Sequence, residues 1–209
     1  MPYIFNIIPN DYLRKKTIGF YNREYIKFNQ PENPDFLNIL KNTFGKENNL
    51  VLEEAKSTVI KILLEDLPHV IQYNHSKNIR NLICLCVPRA KSLKQYNENQ
   101  LLFIYAVREA LSKIDSISDG TDIIMRTINT RTTHIRKPPS NFDNNGDLPY
   151  PGILKNTCTL MVDKIRGQNL ILIDDVYTNN VNIDEDCIQA LFDCGAKNVT
   201  FYAISKTRN

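Results

Sequence analysis

The chain has 209 residues, of which 42% are hydrophobic and 23% are charged, and its formal net charge is +3. This length suits one α/β domain with an appendage, and the apolar fraction with the low net charge excludes an intrinsically disordered chain. The charge is too small to predict nucleic-acid binding, and no apolar run approaches the ~20 residues of a membrane span. The start lacks the basic and then apolar pattern of a secretory signal, so we expect a cytoplasmic protein without a membrane partner.

The cysteines are odd in number, lie in apolar surroundings and form no Cys-x-x-Cys pair. They are Cys84, Cys86, Cys158, Cys187 and Cys194. The three histidines do not cluster with them along the chain. We therefore predict free, buried thiols in a reducing compartment and no protein metal site.

Residues 1–78 are predicted to form a mainly helical and irregular N-terminal extension. Aromatic and basic residues alternate over residues 1–30, which predicts a small aromatic subcore; a surface that stacks nucleic-acid bases is the alternative. A first helix is predicted to begin at Pro34, and a longer one is predicted from the apolar face of residues 52–67, with Pro68 as its end. Both helices need a surface to cover, so the extension is also a candidate site for a protein partner.

Residues 79–209 alternate between strand and helix patterns. Strands are predicted at 81–87, 121–125, 169–174 and 199–204, and helices at 98–113 and 184–194, the last one closed by Gly195. This alternation predicts right-handed βαβ crossovers and a parallel sheet flanked by helices, an α/β fold. A loop rich in proline and asparagine at residues 137–151 interrupts the pattern, and a loop of that length is typical of a functional lid.

Two adjacent carboxylates, Asp174 and Asp175, end the most apolar of these strands. A polar loop over residues 178–182 follows them and leads into a helix N-terminus. Ligands of parallel sheets bind at the carboxyl ends of the strands, and a helix N-terminus offers backbone amides to an anion. The pattern therefore predicts a sugar-phosphate ligand, with ribose hydroxyls on the carboxylates and the phosphate in the loop.

The run Ile173-Asp174-Asp175-Val176-Tyr177-Thr178 resembles the phosphoribosyl-pyrophosphate (PRPP) signature of type I phosphoribosyltransferases. More narrowly, residues 79–209 resemble the ComF group of amidophosphoribosyltransferase-like proteins. That likeness rests on residues 82–88 followed by Asn99-Gln100, on the Arg126-Thr127 stretch and on the closing strand. The zinc ribbon of many ComF proteins is missing, because no cysteine precedes Cys84.

The resemblance implies transfer of phosphoribose between PRPP and a nitrogenous base or amine. Asp174 and Asp175 would be the catalytic pair on the ribose hydroxyls, and Tyr177 would stack on the base. The 5′-phosphate would lie on the loop residues Thr178, Asn179, Asn180, Val181 and Asn182, and the pyrophosphate on Arg89, Lys91 and Lys94. Mg²⁺ would enter with PRPP rather than occupy a protein cage, and residues 137–151 would form a hood that excludes water.

Several residues depart from the family's pattern. Asn180 stands where glycine is usual, Asn182 stands where a small hydroxyl residue is usual, and acids at 184–186 compete with a phosphate. Two hypotheses therefore stand beside transfer. One is a degenerate fold that acts by ligand sensing or partner binding, in DNA uptake, regulation or antiphage defence. The other is an effector that cleaves nucleotides, with Asp175 as its candidate activator.

Overall fold

The computed structural model describes residues 1–27, 29–132, 144, 146–147, 153–179 and 181–208. These residues form an α/β protein with a mostly parallel central sheet and helices packed on both faces, as the sequence predicts. Most of the predicted hood, residues 137–151, lies outside the described residues. None of the helices in the described ranges combines the length and the hydropathy that a bilayer span requires.

Six strands form the central sheet in the order β1-β2-β8-β7-β3-β4. The pair β1–β2 is antiparallel, and each of the other neighbours is parallel. Two further strands, β5 and β6, form a separate antiparallel pair. The strands are β1 (Tyr3–Ile7), β2 (Thr17–Tyr25), β3 (Leu82–Cys86), β4 (Ile117–Asp119), β5 (Ile124–Arg126), β6 (Cys158–Leu160), β7 (Asn169–Tyr177) and β8 (Asn198–Thr207).

The helices divide between the two faces of the sheet. One layer contains the first three helices and the other contains the last three. Short 3-10 turns at Leu93–Gln95 and Glu98–Gln100 precede the third helix. The α-helices are α1 (Phe36–Lys41), α2 (Asn49–Ser76), α3 (Leu102–Leu111), α4 (Ile153–Thr157), α5 (Val162–Ile165) and α6 (Ile183–Asp193).

The central strand β7 explains the continuous apolar run of the sequence. Leu170 and Leu172 pack against the layer of α4–α6, whereas Ile171 and Ile173 pack against the layer of α1–α3. A strand covered on both faces needs apolar side chains at every position, because alternate side chains point to opposite faces.

The N-terminal residues are part of this sheet, which corrects the prediction of an irregular start. Strand β2 pairs with β8 in parallel, and Phe20 shares one apolar cluster with Leu63 of α2 and Tyr202 of β8. Residues 1–78 and 79–209 therefore enclose a common core. The mixed aromatic and charged side chains of residues 17–25 concealed the strand, because only part of β2 is buried.

Helix α2 continues through Pro68, so the predicted stop at this proline is wrong. The buried residues Val70, Ile71 and Asn74 extend the packed face beyond it. A proline inside a helix costs roughly 3 kcal/mol, and burying several apolar side chains at about 1.5–3 kcal/mol each outweighs that cost.

The strand predicted at residues 121–125 is also displaced. The sheet position beside β3 is taken by β4, whereas residues 124–126 form β5 and pair with β6 outside the sheet. Strand β4 has three residues, two of them exposed, so it lacks the apolar pattern that a sequence search detects.

Candidate ligand site at the carboxyl ends of the central strands

The chain changes direction within the sheet at β3. Strand β4 lies on one side of β3, and β7, the next strand of the sheet along the chain, lies on the other side. The carboxyl ends of β3 and β7 therefore border a topological switch point, the place where open parallel sheets bind ligands. Asp174 and Asp175 lie there, as do the loop after β3 and the start of α6.

Both aspartates hold the backbone of the strand end. The amide of Asp175 donates to Asp174 Oδ1 at 2.8 Å, and the amide of Val176 donates to Asp175 Oδ1 at 2.7 Å. The register of β7 with β8 pairs Asp174 with Ala203 and Val176 with Ser205 and passes over Asp175. The regular ladder is therefore interrupted at the position where the two acids stand.

The alternation of side chains shifts by one residue at this interruption. Ile173 and then Val176 pack on the layer of α1–α3, whereas Leu172 and then Tyr177 pack on the other layer. Regular alternation would send Tyr177 to the opposite face.

Tyr177 is consequently a core residue, which corrects its predicted role in base stacking. Its ring centroid lies 5.0 Å from that of Phe5 and 5.6 Å from that of Phe201, and its hydroxyl donates to Glu185 Oε1 at 2.8 Å. Burial and the charge of Glu185 raise the pKa of Tyr177 above its usual value. Tyr177 is 4% exposed, so its ring has no open face on which a base could stack.

Lys41 is the residue of this site that sequence reasoning missed. Its Nζ lies 2.8 Å from Asp175 Oδ2, and the two side chains are 22% and 19% exposed. Burial opposes the charge on Lys41, but the attraction of Asp175 and the hydrogen bond to it outweigh this and raise the pKa of Lys41. No local motif signals this lysine, because it is far from Asp175 in sequence and reaches it only through the position of α1.

Asp174 forms a carboxyl–carboxylate pair with Asp184 of α6. Their side chains are hydrogen-bonded. Burial and the charge of Asp175 raise the pKa of Asp174 to about 7, and burial and the charge of Asp174 raise the pKa of Asp184 well above its usual range. A hydrogen bond between two carboxyl groups requires a proton on one of them, so the two groups do not both carry a charge while it is formed.

The first turn of α6 is filled by buried acids. Asp184, Glu185 and Asp186 are each less than 10% exposed. The Asp186 carboxylate accepts a hydrogen bond from the Leu154 amide, and Glu185 accepts one from Tyr177. One oxygen of Asp184 and one of Glu185 are buried without a hydrogen-bond partner. Three buried acids thus occupy a helix N-terminus, the place where a phosphate would need hydrogen-bond donors and positive potential.

The loop predicted to bind a phosphate is held in place by hydrogen bonds, including bonds to residues outside the loop. Thr178 Oγ1 lies 2.8 Å from Thr207 Oγ1, and the Val181 amide donates to the Thr178 carbonyl at 3.2 Å. Asn182 takes a left-handed backbone with φ 64°, which asparagine tolerates better than most residues, and its Oδ1 accepts from Asn10 Nδ2 at 3.0 Å.

Asn179 is exposed, and Asn180 lies outside the described residues. Phosphate binding by residues 178–182 stays a prediction.

The loop after β3 places one of its three predicted cations beside Lys41. The Arg89 guanidinium donates to the carbonyl oxygens of Gln100 and Lys41 and lies 4.2 Å from the ring centroid of Tyr96. Lys91 is buried and Lys94 is exposed. Arg89 and Lys41 thus add two cationic groups to the site.

The described residues contain no group of three or more histidine, cysteine, aspartate or glutamate side chains that could hold a metal ion. The pair Asp174 and Asp175 does not fit a protein-held Mg²⁺, because a carboxyl proton and an ammonium group already engage it. The five cysteines are free thiols, four of them buried, as the sequence predicts.

No protein-family model matches the chain, and no curated protein matches it. Among solved structures, it is similar to hypoxanthine-guanine phosphoribosyltransferase from Schistosoma mansoni in complex with IMP. The identity is 10%, the match covers 74% of this chain and 67% of that one, and the TM-score is 0.35. A likeness of this size leaves the function to be argued from the site itself.

Proposed function

We propose that this protein is a phosphoribosyltransferase-like module that acts by binding a partner and does not transfer phosphoribose. The observation that carries the proposal is that both carboxylates of the PRPP-like motif are engaged within the protein. Asp175 is paired with Lys41, and Asp174 is paired with Asp184. The narrower resemblance to ComF proteins rests on the sequence motifs alone.

The charges around α6 support the loss of phosphate binding. Two like charges about 6 Å apart repel by nearly 3 kcal/mol at an effective dielectric of about 20. A phosphate at the start of α6 would lie beside three buried acids, and each of them that is ionised would repel it with little screening by salt.

Isothermal titration calorimetry with Mg–PRPP tests the proposal directly. We expect no binding heat up to millimolar PRPP and no release of pyrophosphate in the presence of purine or pyrimidine bases. Asp175→Asn keeps the shape of the side chain and serves as the matched control, and its titration should be indistinguishable from that of the natural chain.

A transferase is the second candidate function, and one observation favours it. Lys41 and Arg89 place two cations beside a pair of acids at the switch point, an arrangement that could receive a pyrophosphate and a ribose once Asp175 is released. Saturable binding of Mg–PRPP that Asp175→Asn abolishes, together with release of pyrophosphate, would establish this function and refute the binding module. A nucleotide-cleaving role is less consistent with the site, because Asp175, its candidate activator, is ion-paired with Lys41.

A further inference from the structure

The N-terminal strand β1 is the edge of the central sheet. Its one sheet neighbour is β2, so the hydrogen-bonding side away from β2 has no strand against it within the described residues. An edge of this kind presents free N–H and C=O groups and is a template for pairing with another strand.

The side chains around β1 are unusually apolar for an exposed edge. Tyr3 is 61% exposed, Ile4 58% and Ile8 61%. Residues 1–10 contain no charged side chain, although 23% of the whole chain is charged. The terminal ammonium group lies 3.9 Å from Asp66 Oδ1.

The usual protections of a sheet edge are absent from β1. Proteins protect edges with charged side chains, internal prolines, bulges or very short strands. Strand β1 has five residues, no lysine and no proline, and its pairing with β2 is continuous from Tyr3 to Ile7. The opposite edge, β4, is protected by its three-residue length and its terminal Asp119.

We propose that β1 is a self-association surface on which a second copy of this chain adds its own β1 in antiparallel register, so that the two central sheets become continuous. The proposal deepens the binding role proposed above by naming the partner. It is tested by the state of association, whereas the proposed function is tested by PRPP binding, so either can fail alone.

A second copy suits this edge because the strand is complementary to itself. An antiparallel pair across a two-fold axis must bring side chains of one face together, which a register centred on Phe5 does. That register opposes Tyr3 to Ile7 and Ile4 to Asn6. Phe5 meets Phe5 of the other copy as an aromatic cross-strand pair, whereas Ile7 is buried in its own core. No like charges meet, because the strand has none.

The prolines that flank the strand limit the length of the pairing. Pro2 and Pro9 lack an amide hydrogen, so a regular ladder cannot extend beyond residues 3–8. So short a contact buries less than the roughly 1,200 Å² of a standard stable interface, and we therefore expect a reversible dimer with a micromolar Kd.

Sedimentation equilibrium of the full chain tests the proposal over roughly 1–300 μM, a range that brackets a micromolar Kd. The natural chain should pass from monomer to dimer, and Ile4→Lys should remain monomeric because it places a charge on the edge of each copy. Leu50→Lys is the matched control, since Leu50 is 75% exposed at the start of α2, and it should dimerise like the natural chain.

Hydrogen exchange of the β1 amides adds a readout of backbone pairing. The exchange of residues 3–8 should slow at high concentration in the natural chain and in Leu50→Lys, and not in Ile4→Lys. Circular dichroism verifies that each variant is folded. A natural chain that is monomeric at the highest concentration overturns the proposal. So does a dimer that survives Ile4→Lys, or one that both lysine variants abolish.

Discussion

Asp184 combines three properties that are costly for a carboxyl group. It is 4% exposed, it is hydrogen-bonded to another carboxyl group, and its Oδ1 has no partner. A buried carboxyl group in this setting holds its proton to a higher pH than a free one does. The pair Asp174–Asp184 therefore binds protons more tightly in the folded protein than in the unfolded chain.

This difference sets the sign of a pH dependence. In the unfolded chain both aspartates lose their protons near pH 4, whereas in the folded protein the pKa of Asp174 is about 7 and that of Asp184 is raised well above its usual range. The folded state binds more protons across this interval, so this pair lowers the free energy of unfolding progressively as the pH rises from about 4 to above 7.

Asp184→Asn should remove much of this decrease in the free energy of unfolding at high pH. The amide can donate to Asp174 without a titrating proton, so the plot of unfolding free energy against pH should flatten between about pH 5 and 8. Each unit of raised pKa corresponds to about 1.4 kcal/mol, and we expect the variant to be more stable than the natural chain by at least about 1 kcal/mol at pH 8.

Urea unfolding at several pH values measures this change. Asp163→Asn, in the exposed first turn of α5, makes the same change in formal net charge. It should leave the slope of unfolding free energy against pH unaltered. Equal slopes for the natural chain and Asp184→Asn would show that the pair holds no proton in the folded state.

At the scale of elements, one ion pair joins helix α1 to strand β7. Lys41 ends α1, and its contact with Asp175 draws this short helix over the carboxyl end of the sheet. Hydrogen bonds from Gln100 Nε2 to the carbonyl oxygens of Asn42 and Thr43 hold the following residues against the loop before α3. The N-terminal part of the chain thus closes one side of the candidate site.

Lys41→Met tests how much the ion pair between Lys41 and Asp175 contributes to the free energy of unfolding. The variant leaves the partly buried Asp175 without the charge of Lys41. The free energy of unfolding should fall by about 1–3 kcal/mol, a value between those for breaking an exposed and a buried ion pair. The double variant Lys41→Met/Asp175→Asn should recover part of it, because no uncompensated charge remains.

A double-mutant cycle by chemical unfolding gives the coupling energy of the pair. The exposed pair between Glu109 of α3 and Lys113, which follows that helix, provides a reference and should show a coupling below about 1 kcal/mol. Additive effects of the Lys41 and Asp175 changes would mean that the pair does not hold α1 in place.

At the scale of the whole molecule, the two parts of the chain depend on each other. Strand β8 lies between β7 and β2, so its two neighbours come from different parts of the sequence. The long helix α2 covers one face of the sheet through Leu63, Leu67 and Val70, which are fully buried. A boundary at residue 78, as the sequence predicts, would separate strands that share one sheet.

We therefore predict that residues 79–209 do not fold alone. The fragment would expose the β2-facing edge of β8 and the face of the sheet that α2 covers, and it should bind a hydrophobic dye and unfold without a cooperative transition. Circular dichroism and thermal melting, with the full chain as the reference, measure this. A sharp melting transition of the fragment would establish residues 79–209 as an independent domain.

The predictions from sequence succeeded where a local pattern is enough. The apolar runs before Cys86 and Asp174 identified β3 and β7, and Gly195 marked the end of α6, where its φ is 89°. They failed where a distant partner decides the outcome. Pro68 sits inside a helix because the face beyond it is buried, and the strand residues 17–25 are defined by β8, far along the chain.

The amino-acid sequence by itself determined the α/β class, the central buried strands and the position of two acids at the end of one of them, because periodicity and composition are local properties. Only the tertiary structure decided what those acids do. It brought Lys41 to Asp175 and Asp184 to Asp174, and it turned Tyr177 into the core. The charge state and accessibility of a carboxylate depend on groups within a few ångströms, and folding alone sets which groups those are.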